Sequence, residues 1–476
     1  MQRVFLQSSF LLLAVNILVK PLWVLGVERW VQNQYQAEYA TYFLIYTLSI
    51  LFSVLIDFGI NTHIAVAYSI NKTAFKNEIF TISVFKLGLS MVYVLFTMMY
   101  FFALQLNTHA LSLLVLLCAN QIVISYISYY RMQLAAHQQF TIDALVSSLD
   151  KLLLLGSFGI LWLTNALNWQ TFIYSQLAAL VVSLVVVRWL AALRCTDNLY
   201  QFDIRIITKI VPQLLPFIGF VLLNNLYSRN DTFYLNHFGG SNATQYINEY
   251  AAVNRLYESA SMFAVLLSAQ LLPMFSTNIN NTKALTDLAL LCIRIMFCVY
   301  ISLLVVVLFN GSIITTLLLK NFETAHIYAL LWLMAGLLPF VLVQVLGALM
   351  LARRQIKLLI KAATVALLFN IIINFVLTKN MGIVGTCIAN FLTQSIVGIW
   401  AVRFAISELG SEVWVVFFKQ MIRYTIAVLG VAFVAFILNF TLLWCCAIVA
   451  VASIGVCMRL KIINLATVYN LLIFKK

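Results

Sequence analysis

Charge is what this chain has least of. Only 9% of its 476 residues are Asp, Glu, Lys or Arg, against about 25% in a soluble domain, so an ordinary water-exposed surface cannot be built from it. Acid is scarcer still, with 15 acidic residues against 29 basic ones and a net charge of +14. Nucleic acid is excluded as the partner of that charge, because the basic residues fall in short clusters between apolar runs and form no single basic face. No CxxC pair and no zinc-ligand spacing occurs. Of the eight cysteines, Cys118, Cys292, Cys298, Cys387, Cys445, Cys446 and Cys457 lie inside apolar runs and Cys195 lies in a basic loop. They read as small hydrophobes, not as a disulfide framework, and no motif calls for a cofactor or a metal. The first 27 residues resemble a signal peptide but lack a small-x-small cleavage site, which makes them a retained first span.

What is present is hydrophobic length. Apolar residues make up 63% of the chain and mean hydropathy is +1.00. A bilayer-crossing helix needs about 20 such residues, and fourteen runs supply them: 4–27, 41–68, 79–104, 110–135, 144–165, 170–190, 208–236, 246–275, 286–309, 326–351, 358–378, 382–406, 418–438 and 441–458. The gaps between runs reach about 17 residues at most (191–207 and 309–325), too short to hide a soluble domain. The expected fold is an all-α polytopic membrane protein.

Loop charge gives its orientation. With the N-terminus in the cytoplasm, nineteen basic residues lie outside the membrane on that side. Only Arg29, Lys320 and Lys379 lie on the other, and the remaining seven of the 29 fall within spans. Such a bias over short loops follows the positive-inside rule and places both termini in the cytoplasm.

Six of those seven are candidate site residues: Lys20, Lys86, Lys151, Arg229, Arg255 and Arg294; the seventh, Arg423, starts close enough to the interface to snorkel. The stretch 212–276 concentrates them, with Arg229 and Asp231 late in its first arm and Arg255 and Glu258 in its second. A charge at the centre of a lipid-facing helix costs about 2.5–3.5 kcal/mol on insertion scales. Such residues therefore either face protein or a wet cavity, or sit near an interface. Arg255 and Glu258 share a helix face at i,i+3 and partly neutralise each other. Lys151 has Asp150 beside it. Two readings follow: structural pairs near helix ends, or a hydrophilic lumen lined by cations from six helices.

The first six helices and the next six follow one plan, each half placing a tyrosine-rich start after its first helix (35–46 and 246–257). Two lobes, 1–190 and 206–406, are expected, related as a parallel repeat, with 407–476 holding two extra helices. All five prolines (Pro21, Pro212, Pro216, Pro273, Pro339) fall within spans, where each either permits a bend or makes a static kink.

Asp57-Phe58-Gly59, the Arg229-x-Asp231 pair, the tyrosine-rich start of helix 8 and the stretch 337–394 together resemble the bacterial polysaccharide flippases. In the last of these a basic loop follows helix 10, Asn370 and Asn374 sit in helix 11, and Gly382 and Gly385 open helix 12. Those flippases export O-antigen and other lipid-linked oligosaccharides and share a superfamily with the multidrug and toxic-compound extrusion transporters. The tight glycine turn usual between the first two helices is replaced by Gln34-Tyr35-Gln36-Ala37. The resemblance implies no enzyme activity. It implies transport of a polyprenyl-pyrophosphate-linked glycan, a lipopolysaccharide repeat unit, across the inner membrane by alternating access through a cationic cavity. Membrane lipid and polysaccharide polymerase machinery are the implied partners. Arg suits bidentate phosphate contact and Lys acts as a point charge. Asp57 is the candidate for ion coupling, since a carboxylate buried and rewetted in turn can take up and release a proton; a cap or a structural hydrogen bond is its other reading. Two rival classes remain, a drug extruder of the same fold and a membrane glycan polymerase or ligase.

Overall fold

The computed structural model describes residues 19, 22–61, 78–137, 139–194, 202–277, 281–319, 323–438, 440–460 and 462. Among these, every regular element is helical. A π-helical turn, Leu22–Glu28, leads into α1 (Arg29–Gln34). Next come α2 (Gln36–Leu51, continued by Val54–Asp57), α3 (Glu78–Ala103), α4 (Leu111–Ala136) and α5 (Phe140–Val146, continued by Leu149–Leu163). They are followed by α6 (Trp169–Arg194), α7 (Ile204–Arg229), a short helix Asp231–Phe238, α8 (Ala243–Thr277), α9 (Thr282–Leu318) and α10 (Thr324–Ala352). A single helical stretch Ile356–Leu409 holds α11 and α12, before α13 (Ser411–Ile437) and α14 (Leu442–Arg459). Thirteen of the fourteen runs expected from hydropathy thus have a described helix; the first, 4–27, lies mostly outside the described residues. Nine described helices are by themselves long and apolar enough to cross a membrane. Their lipid-facing character shows in large apolar side chains that would aggregate in water, such as Leu163 and Leu443, each 82% exposed.

The stretch Ile356–Leu409 has 54 residues, about 80 Å of helix at 1.5 Å per residue, far more than a bilayer core of about 30 Å. It is two spans folded back at Gly382, whose φ of 54° and ψ of −129° break the helix. Thr378 and Thr386 hydroxyls meet across the turn at 3.0 Å, and Asn370 Nδ2 donates to Thr393 Oγ1 at 3.1 Å. Gly385 permits the close return, since a Cβ there would lie 2.1 Å from the Leu377 carbonyl oxygen.

Two expected loops are helix instead. Between helices 1 and 2 the polar run Gln34-Tyr35-Gln36 interrupts the helix only at Tyr35 (φ −123°, ψ 60°). The tyrosines beyond it are committed to packing: Tyr42 stacks on Tyr46 at 5.6 Å and donates to Gln176 Oε1 of α6 at 3.1 Å. The gap expected at 309–325 narrows because α9 runs on to Leu318 through a kink at Asn310. There the Asn310 amide donates back to the Val306 carbonyl at 3.2 Å and meets Cys445 Sγ at 3.2 Å, so its polarity is satisfied inside the protein.

The helices gather into two compact units, Met1–Phe233 and Tyr234–Lys476. Helix α7, expected with the second lobe, packs within the first unit, where Ile210, Leu214 and Ile218 share a core cluster with Ile60, Ile82, Leu89 and Tyr129. In the second unit the extra helices α13 and α14 dock on α9 through hydroxyls. Tyr424 donates to the Cys298 carbonyl at 3.0 Å, lies 2.8 Å from Ser302 Oγ and contacts the Ser453 hydroxyl.

Candidate functional site

In the first unit the structure brings together two residues that the sequence offered for different tasks. Lys86, fully buried on α3, reaches the end of α2, where its Nζ lies 3.6 Å from Asp57 Oδ1 and 3.4 Å from the Ile56 carbonyl oxygen. The faces of Tyr126 and Tyr129 on α4 complete the shell, with ring centroids 5.8 and 5.9 Å from Nζ. A buried ammonium is costly unless paired and hydrogen-bonded; carboxylate, carbonyl and two π-faces offset that cost. The Asp57 side chain is 34% exposed although its Oδ1 is buried, so the pair is open on one side. Phe58 and Gly59, at φ 49° and 72°, end the helix in left-handed conformation and fix where the carboxylate points. Gly59 also lets α7 approach, for a Cβ there would lie 3.3 Å from Leu214 Cδ2.

Lys151 on α5 is likewise engaged locally, 3.8 Å from Asp150 Oδ2 and 5.8 Å from the centroid of the Trp23 ring. Lys20 lies outside the described residues, as does Pro21 beside it. Arg229 ends α7 half-buried, and after a break at Asn230 the buried Asp231 opens the next short helix. An acidic residue in the first turn of a helix is favoured by the helix dipole. On α8 Arg255 is buried, with Glu258 half-buried one turn on. None of these four stands without a partner. Arg294 is half-buried on α9, seven residues after Asp287.

The second unit answers its buried polarity mostly without charge. Asn370, Asn374, Thr378, Thr386 and Thr393 are all buried and form a ladder between α11 and α12. In it Asn374 Nδ2 donates to the Asn370 carbonyl at 3.2 Å and Thr378 Oγ1 to Asn374 Oδ1 at 2.9 Å. Besides Arg255, it buries an ionisable pair that sequence reasoning missed. His326 Nε2 lies 3.2 Å from Glu249 Oε2, with the two side chains 1% and 10% exposed. Glu249 falls within the expected run 246–275, and His326 was not singled out. Its signal is Glu323-Thr324-Ala325-His326 at the start of α10, where side chains and backbone at both ends bond reciprocally as a capping box. Among the described residues no group of three or more His, Cys, Asp or Glu is arranged to hold a metal.

No protein-family model and no curated protein matches the chain. Solved structures do. A protein described as lipid II flippase MurJ, in an inward closed conformation, superposes with a TM-score of 0.70 at 15% identity, over 99% of this chain and 100% of its own. An inward-facing multidrug resistance MATE family transporter of the MOP superfamily gives 0.64 at 16% identity, over 84% of this chain and 98% of its own. A MOP superfamily transporter from Pyrococcus furiosus, described as having a binding pocket of reversed polarity that suggests a different function, gives 0.53 at 17% identity, over 86% and 95%. The chain has the polytopic helical fold of these MOP superfamily transporters.

Proposed function

We propose that the chain is a flippase of the bacterial inner membrane. Its cargo is a polyprenyl-pyrophosphate-linked oligosaccharide, such as an O-antigen repeat unit, moved from the cytoplasmic to the outer leaflet by alternating access. The lobes that rock are 1–190 and 206–406, with 407–476 appended, and both termini are cytoplasmic. The observation that carries the reading is the set of cations that six different spans carry. Lys86 and Lys151 face Asp57 and Asp150, and Lys20, Arg229, Arg255 and Arg294 lie in spans that also hold Asp231, Glu258, Asp287 and the Glu249 that faces His326. A lumen lined by those cations favours an anionic pyrophosphate over a cation. The full-length superposition on a protein described as a lipid II flippase supports the same class of cargo.

Drug extrusion is the second reading, favoured by the superpositions on multidrug resistance transporters. Under the flippase reading charge matters more than side-chain shape at Arg229. Arg229→Lys should retain part of the transport measured in membrane vesicles, whereas Arg229→Ala should abolish it with the protein still accumulating in the membrane. Loss of the protein itself in Arg229→Ala would assign Arg229 to a structural pair with Asp231 instead.

A further inference from the structure

At one end of the first unit the start of α2, the turn between α3 and α4 and the start of α6 enclose a cleft of about 470 Å³, within the roughly 300–1,000 Å³ of small-ligand sites. It is the end that the loop charges place outside the cytoplasm. Glu38 of α2, Asn107 and His109 of the turn and Gln170 of α6 line the cleft with exposed polar side chains. Trp169 and Tyr174 of α6 line it with aromatic rings. Among the described residues no lysine or arginine lines it.

Local bonds hold these groups in place. Asn168 and Thr171 cap α6 reciprocally: the Thr171 N–H donates to Asn168 Oδ1 at 2.8 Å and the Asn168 N–H to Thr171 Oγ1 at 2.9 Å. That cap fixes the first turn, which carries Trp169 and Gln170. The half-buried Trp169 ring stands edge-on to Tyr42, with centroids 5.9 Å apart, and leans on Tyr35 at 6.0 Å. Tyr35 in turn donates to the Leu167 carbonyl at 3.5 Å. In the turn, Asn107 Oδ1 accepts from the His109 backbone N–H at 3.1 Å, which leaves the Asn107 NH2 as a donor.

What these side chains offer excludes several ligands. A phosphate would meet a carboxylate and no cation. A metal ion would meet one carboxylate and one imidazole, and among the described residues no group of three ligands exists. An aromatic belt at a membrane interface needs Trp and Tyr, but not a carboxylate, two amides and an imidazole gathered around them. A sugar ring needs that set. Its hydroxyls donate and accept at once and are answered by carboxylate, amide and imidazole, while its apolar C–H face lies flat on an aromatic ring. We propose that this cleft is a saccharide-binding site, with Trp169 as the stacking platform and Glu38, Asn107, His109 and Gln170 as the hydrogen-bonding rim. Its ligand is an uncharged pyranose chain. If the chain is a flippase as proposed above, the cleft receives the sugar end of the cargo on the outer side; that clause alone rests on the functional reading.

The test uses the purified full chain in nanodiscs of phosphatidylethanolamine and phosphatidylglycerol, which carry no sugar, and needs no transport. The probes are cellobiose, lactose and N,N′-diacetylchitobiose, read by saturation transfer from protein to sugar protons. Sorbitol is the control, a polyol without a ring face. At least one disaccharide should bind and sorbitol should not. Glu38→Ala should weaken the binding about tenfold, the effect of losing one hydrogen bond to a charged group, and Gln170→Ala about fivefold, for a neutral one. Both residues are exposed, so neither change endangers the fold. Trp169→Ala should abolish binding and Trp169→Phe retain part of it. Because the ligand is uncharged, raised salt should leave binding unchanged, and inorganic pyrophosphate should not compete. Failure of every disaccharide to bind, sorbitol binding as well as they do, or binding unmoved by both Glu38→Ala and Gln170→Ala overturns the proposal and leaves the flippase reading untouched. Binding as described in a chain that moves no lipid-linked glycan upholds this site and removes the functional reading.

Discussion

The two units solve one problem in different ways. Each must keep polar side chains inside hydrocarbon, where an unsatisfied group costs several kcal/mol. The first unit does it with full charges at helix breaks: Lys86 against Asp57 where α2 ends, and Lys151 against Asp150 under the Trp23 ring. The second unit buries Arg255 on α8 and an acid–imidazole pair at the start of α10, and spreads the rest of the burden over neutral amides and hydroxyls that bridge α11 and α12. The difference teaches that a charge count along the sequence describes more of the polar interior of one unit than of the other.

The contrast can be broken at its strongest point first. Lys86→Ala should destabilise the protein by about 3 kcal/mol, the lower end for removing one partner of a buried ion pair, because Asp57 is partly open to solvent. The measurement is thermal unfolding in detergent. The double change Lys86→Ala with Asp57→Asn should recover much of the loss, and an undiminished loss in the double variant would mean that packing of the lysine stem, not its charge, holds the unit.

In the second unit the matching change is milder. Asn370→Ala removes the amide that donates to Thr393 Oγ1, which keeps its own bond to the Ala389 carbonyl, a loss of about 1 kcal/mol read in the same assay. An Asn370→Ala loss as large as that of Lys86→Ala would erase the distinction between the units.

How much of this was legible follows from what each signal measures. Hydropathy reports where backbone must be helical to satisfy itself in lipid, so the thirteen runs that fall on described residues could be placed, and the α11–α12 turn with them because Gly382 and Gly385 mark it. Polarity misled at Gln34-Tyr35-Gln36 and at Asn310. Tyr35 and Asn310 satisfy their side chains inside the protein, at the Leu167 carbonyl in the case of Tyr35 and at Val306 and Cys445 in the case of Asn310. Asp57 and Lys86 could each be singled out as intramembrane charges. That they meet depends on the left-handed turn at Phe58 and Gly59, which composition does not encode. His326 was invisible because a lone histidine three residues into a helix reads as an interfacial residue until its neighbour on α8 is known.

An effect no larger is expected where the extra helices join the second unit. Tyr424→Phe removes the hydroxyl that meets the Cys298 carbonyl, Ser302 and Ser453, and should cost about 1 kcal/mol in thermal unfolding. No change at all would mean that α13 and α14 are held by their apolar contacts alone.

The central claim is that the cations within the spans select an anionic lipid-linked glycan. Binding of a polyprenyl-pyrophosphate sugar to the purified chain, with a cationic dye as the competing ligand, tests it most directly. The account predicts that the glycan lipid binds, that raised salt weakens it by screening, that replacing any two of Lys20, Arg229 and Arg255 with Gln weakens it more than either single change, and that the dye binds poorly throughout. Tight dye binding that no anionic lipid displaces would contradict the account and make the chain a drug extruder of the same fold.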